Sequence, residues 1–104
     1  MPIQRITSFK FTNESDVPGF LEQYKVLEKE NQKDGKPYVL SVNAYPLVSD
    51  PRNQGYNVSA VTIFKDMEDV KYYDDQCEAH KNLKAWAGGK VQTAPLTLLM
   101  EVPA

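Results

Sequence analysis

The sequence predicts an α+β chain in the order strand, helix, strand, strand, helix, strand, and three observations carry that reading. Residues 3–11 and 56–64 alternate between two faces with the two-residue period of a strand. Phe20, Leu21, Tyr24 and Leu27 recur at helical spacing between them. Gly and Pro punctuate the joints, at Asp34-Gly35, Pro46, Pro51, Gly88-Gly89 and Pro95.

The first strand, Ile3 to Phe11, presents Ile3, Arg5, Thr7, Phe9 and Phe11 on one face and Gln4, Ile6, Ser8 and Lys10 on the other. Asn13 to Pro18 supplies helix-start chemistry, with Ser15 or Asp16 as N-cap and Pro18 in the first turn, where its missing N–H costs nothing. That helix is expected to end near Lys33 to Gly35, because glycine tolerates the left-handed conformation of a helix stop. Tyr38 to Tyr45, rich in β-formers, is the second strand, and Pro46 to Gln54 a polar loop. In the third, Tyr56 to Phe64, the residues Tyr56, Val58, Ala60, Thr62 and Phe64 face one way and Asn57, Ser59, Val61 and Ile63 the other. Asp66 caps a helix marked by Met67, Val70 and Tyr73 or Asp74, and a further turn or two, His80 to Ala87, closes at Gly88-Gly89. Leu96 to Val102 is the last strand. This order is the split βαβ of a ferredoxin-like half barrel, with both helices on one face of the sheet.

A chain of 104 residues, 41% hydrophobic and 25% charged, fits one domain spanning residues 1–104. The formal charge of −2 provides no basic field, so nucleic acid is not an expected partner. The lone Cys77 excludes an intrachain disulfide, and with one histidine the chain has no metal-ligand spacing, so neither metal nor cofactor is expected. The opening MPIQRITSFKF lacks the apolar core of a signal peptide, and no apolar run approaches the ~20 residues of a membrane span. The expectation is a cytoplasmic protein with no membrane partner.

A four-stranded sheet with two helices buries one face only, yet apolar residues stand on both. Phe9, Leu40, Val42, Val58, Ala60, Leu96 and Leu98 alternate with Ile6, Val61, Ile63 and Leu99. Leaving the second set wet is expensive at roughly 25 cal/mol per Å². Pairing two such sheets about a two-fold axis covers it, so the expected assembly is a homodimer.

Three segments carry a resemblance that extends over nearly the whole chain: Phe9-Lys10-Phe11, Gly55 to Phe64 with its opening Gly55-Tyr56, and Tyr72 to Leu83 with Ala79-His80. Together they resemble the stress-responsive A/B barrel family, whose members pair as dimeric alpha-beta barrels. The chain is more distantly similar to the plant polyketide cyclases of that family, which use a pocket between helices and sheet in each subunit, with a Tyr and a following His as acid/base pair. That resemblance implies His80 as general base and Tyr73 or Tyr72 as its partner. Cys77-Glu78 stands where the cyclases have His-Pro, and Arg5 and Val58 where they place histidines on the first and third strands.

The residues make their own case. An imidazole with a pKa near 6.5 suits proton transfer at neutrality; alternatively His80 caps the preceding helix or binds a backbone carbonyl at a dimer contact. Arg5 stands on the face that the resemblance turns toward the pocket, where a guanidinium would attract a carboxylate or phenolate; alternatively it is an edge-strand arginine that snorkels to water or pairs with an acid such as Glu101 on a neighbouring strand. Thr7, Phe9, Leu21, Tyr24, Val58, Ala60, Thr62 and Trp86 complete the candidate ligand walls. Two functions follow: a homodimeric stress-response-type barrel that binds a small apolar or aromatic molecule or simply acts as a stable protein, without catalysis, or a cofactor-free polyketide cyclase, lyase or isomerase.

Overall fold

In the computed structural model, which describes residues 1–103, the strands are β1 (Ile3–Phe9), β2 (Ser41–Pro46), β3 (Val58–Phe64) and β4 (Leu96–Glu101), and the helices α1 (Val17–Glu30), α2 (Met67–Asp75) and α3 (Glu78–Ala87). They form one sheet in the order β2-β3-β1-β4, antiparallel throughout, which is the ferredoxin-like arrangement. β1 and β3 are the inner strands, and both alternate strictly between buried and half-buried residues. The pairs Ile3–Phe64, Arg5–Thr62, Thr7–Ala60 and Phe9–Val58 all face the helices, since directly opposed residues share a face.

The core gathers around Phe20 on α1. Its ring lies 4.7 Å from Phe9, 4.7 Å from Phe11 and 5.2 Å from Tyr24, and stacks on Trp86 of α3 at 5.9 Å. Burying a side chain of this size stabilises by about 1.5–3 kcal/mol, so the cluster is the main clamp between α1, α3 and the sheet. Gly19 makes the clamp possible, because a Cβ there would meet Trp86 Cζ2 at 2.9 Å. Phe11 lies beyond the regular end of β1 but keeps its place through an isolated bridge to Val91.

Several boundaries differ from the sequence expectation. α1 stops at Glu30, before Asp34-Gly35, because Asn31 terminates it chemically. The buried Asn31 amide donates to the carbonyls of Leu27 and Glu28 at 3.1 and 2.8 Å, and its oxygen accepts from the backbone N–H of Tyr38 and Val39, each at 3.0 Å. Tyr38 and Val39 are thereby tied to the helix end, which delays β2 to Ser41 and leaves Leu40 outside the strand and exposed. Asp34-Gly35 instead forms its own tight turn, both residues at positive φ, between the bridged Lys33 and Lys36. Asp16 occupies the N-cap position of α1 without a side-chain cap bond. Asp66 caps α2 through Asp69 N–H at 3.0 Å, and α3 begins at Glu78, before His80.

Register corrects the assignment of faces on β4. Leu98 opposes Ile6 and Leu96 opposes Ser8, so both stand on the open face with Val61 and Ile63, while Leu99, opposite Arg5, turns to the helix side. The sequence Leu-Thr-Leu-Leu-Met carries leucine at both parities, and a one-residue shift of pairing exchanges its faces. No residue of β4 is buried in the single chain, and Leu96, Leu98 and Met100 extend the apolar open face at 43–50% exposure.

Because Asn31 serves four backbone groups at once, its replacement is the sharpest test of this fold. Asn31→Ala should cost about 3 kcal/mol in urea unfolding, since each buried group left without a partner costs roughly 1–3 kcal/mol. A loss below about 1 kcal/mol would mean that water takes over the side chain's bonds.

Candidate functional site

α2 and α3 meet at a corner, Gln76-Cys77, that leaves the last carbonyls of α2 without helical partners. Side chains from α3 take two of them: His80 Nδ1 lies 2.8 Å from the Tyr73 carbonyl oxygen, and Lys84 Nζ lies 3.4 Å from that of Asp74. A carbonyl oxygen only accepts, so Nδ1 carries the proton and Nε2 presents a lone pair. The imidazole also lies flat on the Tyr73 ring, centroids 3.7 Å apart and planes 14° apart. Tyr73 thus meets His80 through its ring and its backbone, with its hydrogen bond to the imidazole made by the carbonyl and not by the phenol.

Arg5 comes from the sheet to the same place. It is 7% exposed, its guanidinium carbon stands 5.2 Å from the centre of the Tyr73 ring, Nε donates to Thr7 Oγ1 at 3.3 Å, and Nη1 donates to Asp74 Oδ2 at 2.9 Å. Its partner is therefore a helix acid and not Glu101, and its strand is an inner one and not an edge. These groups border a cavity of about 340 Å³ between α3 and the β1–β4 side of the sheet. Arg5, Thr7, Asp74, His80 and Lys84 supply the polar side; Phe9, Leu83, Ala87, Val91 and Pro95 supply the apolar walls, with Gly88 and Thr97 at the margin.

The electrostatics follow from burial. Desolvation pushes the His80 pKa down to about 4; the bond to the Tyr73 carbonyl opposes this, and Lys84 and Arg5 add to it. At neutral pH the ring is uncharged, and its Nε2 carries an acceptor lone pair. Burial likewise raises the Tyr73 phenol well above its ordinary value, Arg5 pulling the other way, so the phenol stays protonated. Asp69, elsewhere on α2, shows the contrast: burial works against its charge, yet Lys33 at 2.8 Å and Lys65 at 3.0 Å hold it below the usual carboxylate range.

The candidates named from sequence divide accordingly. Arg5, Thr7, Phe9 and His80 line the cavity, and Tyr73 forms the floor beneath the imidazole. Tyr72 turns away, meeting Tyr38 edge-on at 5.2 Å. Leu21 and Tyr24 border a different groove, between α1 and β2. Val58, Ala60 and Thr62 are closed into the core, and Trp86 is engaged with Phe20 and Gly19. Asp74, Lys84 and the apolar wall from Leu83 to Pro95 were not foreseen. Asp74 carried one signal, a carboxylate in the last turn of a helix where the dipole disfavours it. Among the described residues no helix is long and apolar enough to cross a membrane, and no cluster of His, Cys, Asp or Glu has the makings of a metal site.

With fold and cavity in place, the chain can be assigned. The profile of the Stress Responsive A/B Barrel Domain family matches residues 3–92, and the protein belongs to that family. It is 41% identical over 86 residues to the "Fusaristatin A biosynthesis cluster protein" of Gibberella zeae, a match covering 83% of this chain and 62% of the relative's length. Among solved structures it is similar to a dimeric protein of unknown function and ferredoxin-like fold from Bacteroides fragilis, at TM-score 0.77 and 13% identity over 97% of this chain and 96% of that one. It is also similar to the hydroxynitrile lyase of Passiflora edulis, at TM-score 0.73 and 8% identity over 99% and 96% of the two chains. At such identities the likeness is one of fold.

Burial of a neutral His80 predicts an acid-sensitive stability with a definite sign. The unfolded chain takes up a proton below pH 6.5 and the folded ring only near pH 4, so this contribution is complete above 6.5, falls between 6.5 and 4, and levels off below. Relative to His80→Gln, the wild type should lose roughly 3 kcal/mol across that window, at 1.36 kcal/mol per pKa unit. At neutral pH the substitution itself should cost on the order of 1–3 kcal/mol. Parallel stability curves for the two proteins from pH 7 to 4 would contradict a buried imidazole. Asp69 contributes equally to both and cancels.

Proposed function

We propose that this protein is a homodimeric barrel subunit that binds a small apolar or aromatic molecule in the cavity beside His80. The observation that carries the reading is the cavity itself: about 340 Å³, walled by apolar side chains, with a buried guanidinium and a neutral imidazole converging at one end. A largely apolar enclosure with few convergent polar groups is the usual form of a small-molecule site. The biosynthesis-cluster name of the fungal relative is consistent with a small-molecule role. The dimer rests on the open sheet face, where Ile6, Val61, Ile63, Leu96, Leu98 and Met100 lie together and uncovered, and the description of the Bacteroides neighbour as dimeric is in keeping with it.

A second reading, cofactor-free cyclase, lyase or isomerase chemistry, draws on the His80 tautomer. With Nδ1–H fixed on a backbone carbonyl, Nε2 is the nitrogen left to take a proton, and burial, which holds the pKa near 4, makes it a weak base at neutrality. In this reading Tyr73 acts by orienting the ring through its stack and its carbonyl, and His80 alone exchanges the proton.

Light scattering should give about twice the 11.8 kDa chain mass. Val61→Asp should abolish dimerisation or folding, because it leaves a carboxylate unpaired in the joint; a monomeric wild type removes the barrel. Aromatic fragments should shift the methyl NMR signals of Leu83 and Ala87, and Thr97→Trp, placed on the exposed cavity margin, should weaken them about 10-fold or more. Fragments that leave those methyls unmoved would sink the binding reading. In the catalytic reading His80→Gln keeps fragment binding and loses turnover.

A further inference from the structure

We infer that the cavity selects a monoanion on an apolar body, and that Asp74 is the internal stand-in for its carboxylate. The inference rests on the reading of the cavity as a ligand site and specifies the class of ligand. Arg5 cannot shed its charge, yet it is 7% exposed beside walls of Phe9, Leu83, Ala87 and Val91. A permanent cation in such a place needs a counterion. Asp74 is the carboxylate that meets it, and three observations mark that contact as replaceable. It is single, Nη1 to Oδ2 at 2.9 Å, where guanidinium and carboxylate make two parallel bonds in their best geometry. The Asp74 side chain is 44% exposed, so it can swing into water with little desolvation to undo. It also stands in the last turn of α2, beside Asp75 and with no basic residue in that turn, where the helix dipole repels it.

Charge at the mouth points the same way. Arg5 and Lys84 face the cavity against Asp74 alone, and His80 is neutral. When Asp74 rotates out, an entering carboxylate or phenolate takes the guanidinium, and its apolar body fills the space toward Val91 and Pro95. Exchange of one anion for another leaves the charge on Arg5 compensated throughout, and no covalent bond changes.

The test compares 4-phenylbutyrate with its neutral amide, by calorimetric titration of the full chain, in wild type and in Asp74→Asn. The acid should bind wild type roughly 10-fold more tightly than the amide, since a hydrogen bond to a charged group replaces a neutral one. Asp74→Asn should tighten the acid a further ~2- to 5-fold by removing the competing ion pair, and leave the amide unchanged. Arg5→Gln should erase the preference for the acid; because it alters a buried residue, its fold is checked by circular dichroism, and Asp74→Asn stands alone if it fails. Equal binding of acid and amide, with no effect of Asp74→Asn, overturns the anion exchange while leaving the cavity a ligand site. No binding of either compound overturns both.

Discussion

The ring of Tyr73 is where the three parts of this molecule touch. Its edge meets Phe64 of the sheet at 5.0 Å, one face carries the His80 imidazole of α3, and the Arg5 guanidinium of β1 stands by it at 5.2 Å. The same residue's carbonyl fixes the imidazole tautomer. One residue in the last turn of α2 therefore touches the sheet, orients the imidazole and forms part of the surroundings of the buried cation. Aromatic stacking and cation–π contacts each contribute on the order of 1 kcal/mol, and here they share a single ring, so they are not independent and neither persists without it.

Much of the architecture was legible because it depends on parity. The inner strands bury every second residue without exception, so alternation in β1 and β3 reported the helix-facing side directly. β4 was misread because its parity alone does not say which side meets the helices: Leu96, Leu98 and Met100 share one face and Leu99 stands on the other, and only pairing with β1 orients them. The ends of α1 and β2 were set by Asn31, whose four bonds join residues up to eight positions apart. A sequence shows the glycine that permits a stop, and it does not show an amide that enforces an earlier one.

The site was legible in type and not in geometry. His80 and Arg5 stood out as the lone imidazole and as a guanidinium on an otherwise apolar strand face, and the fold brings both, with Thr7 and Phe9, to the lining of one cavity. The relation of Tyr73 to His80 depended on the break at Gln76-Cys77. A continuous helix would align residues seven apart along one stripe, whereas the corner folds α3 back so that imidazole and phenol ring lie face to face. The apolar wall running to Pro95 belongs to α3 and the connection after it, and nothing local in that stretch distinguishes lining from packing.

The corner holds one further group. Cys77 is 1% exposed and is the only thiol in the chain, at the N-cap position of α3. No reagent of ordinary size reaches its sulfur while the corner is closed. Its alkylation rate is accordingly an intrinsic stopwatch for the α2–α3 joint, counting each local opening with no label added.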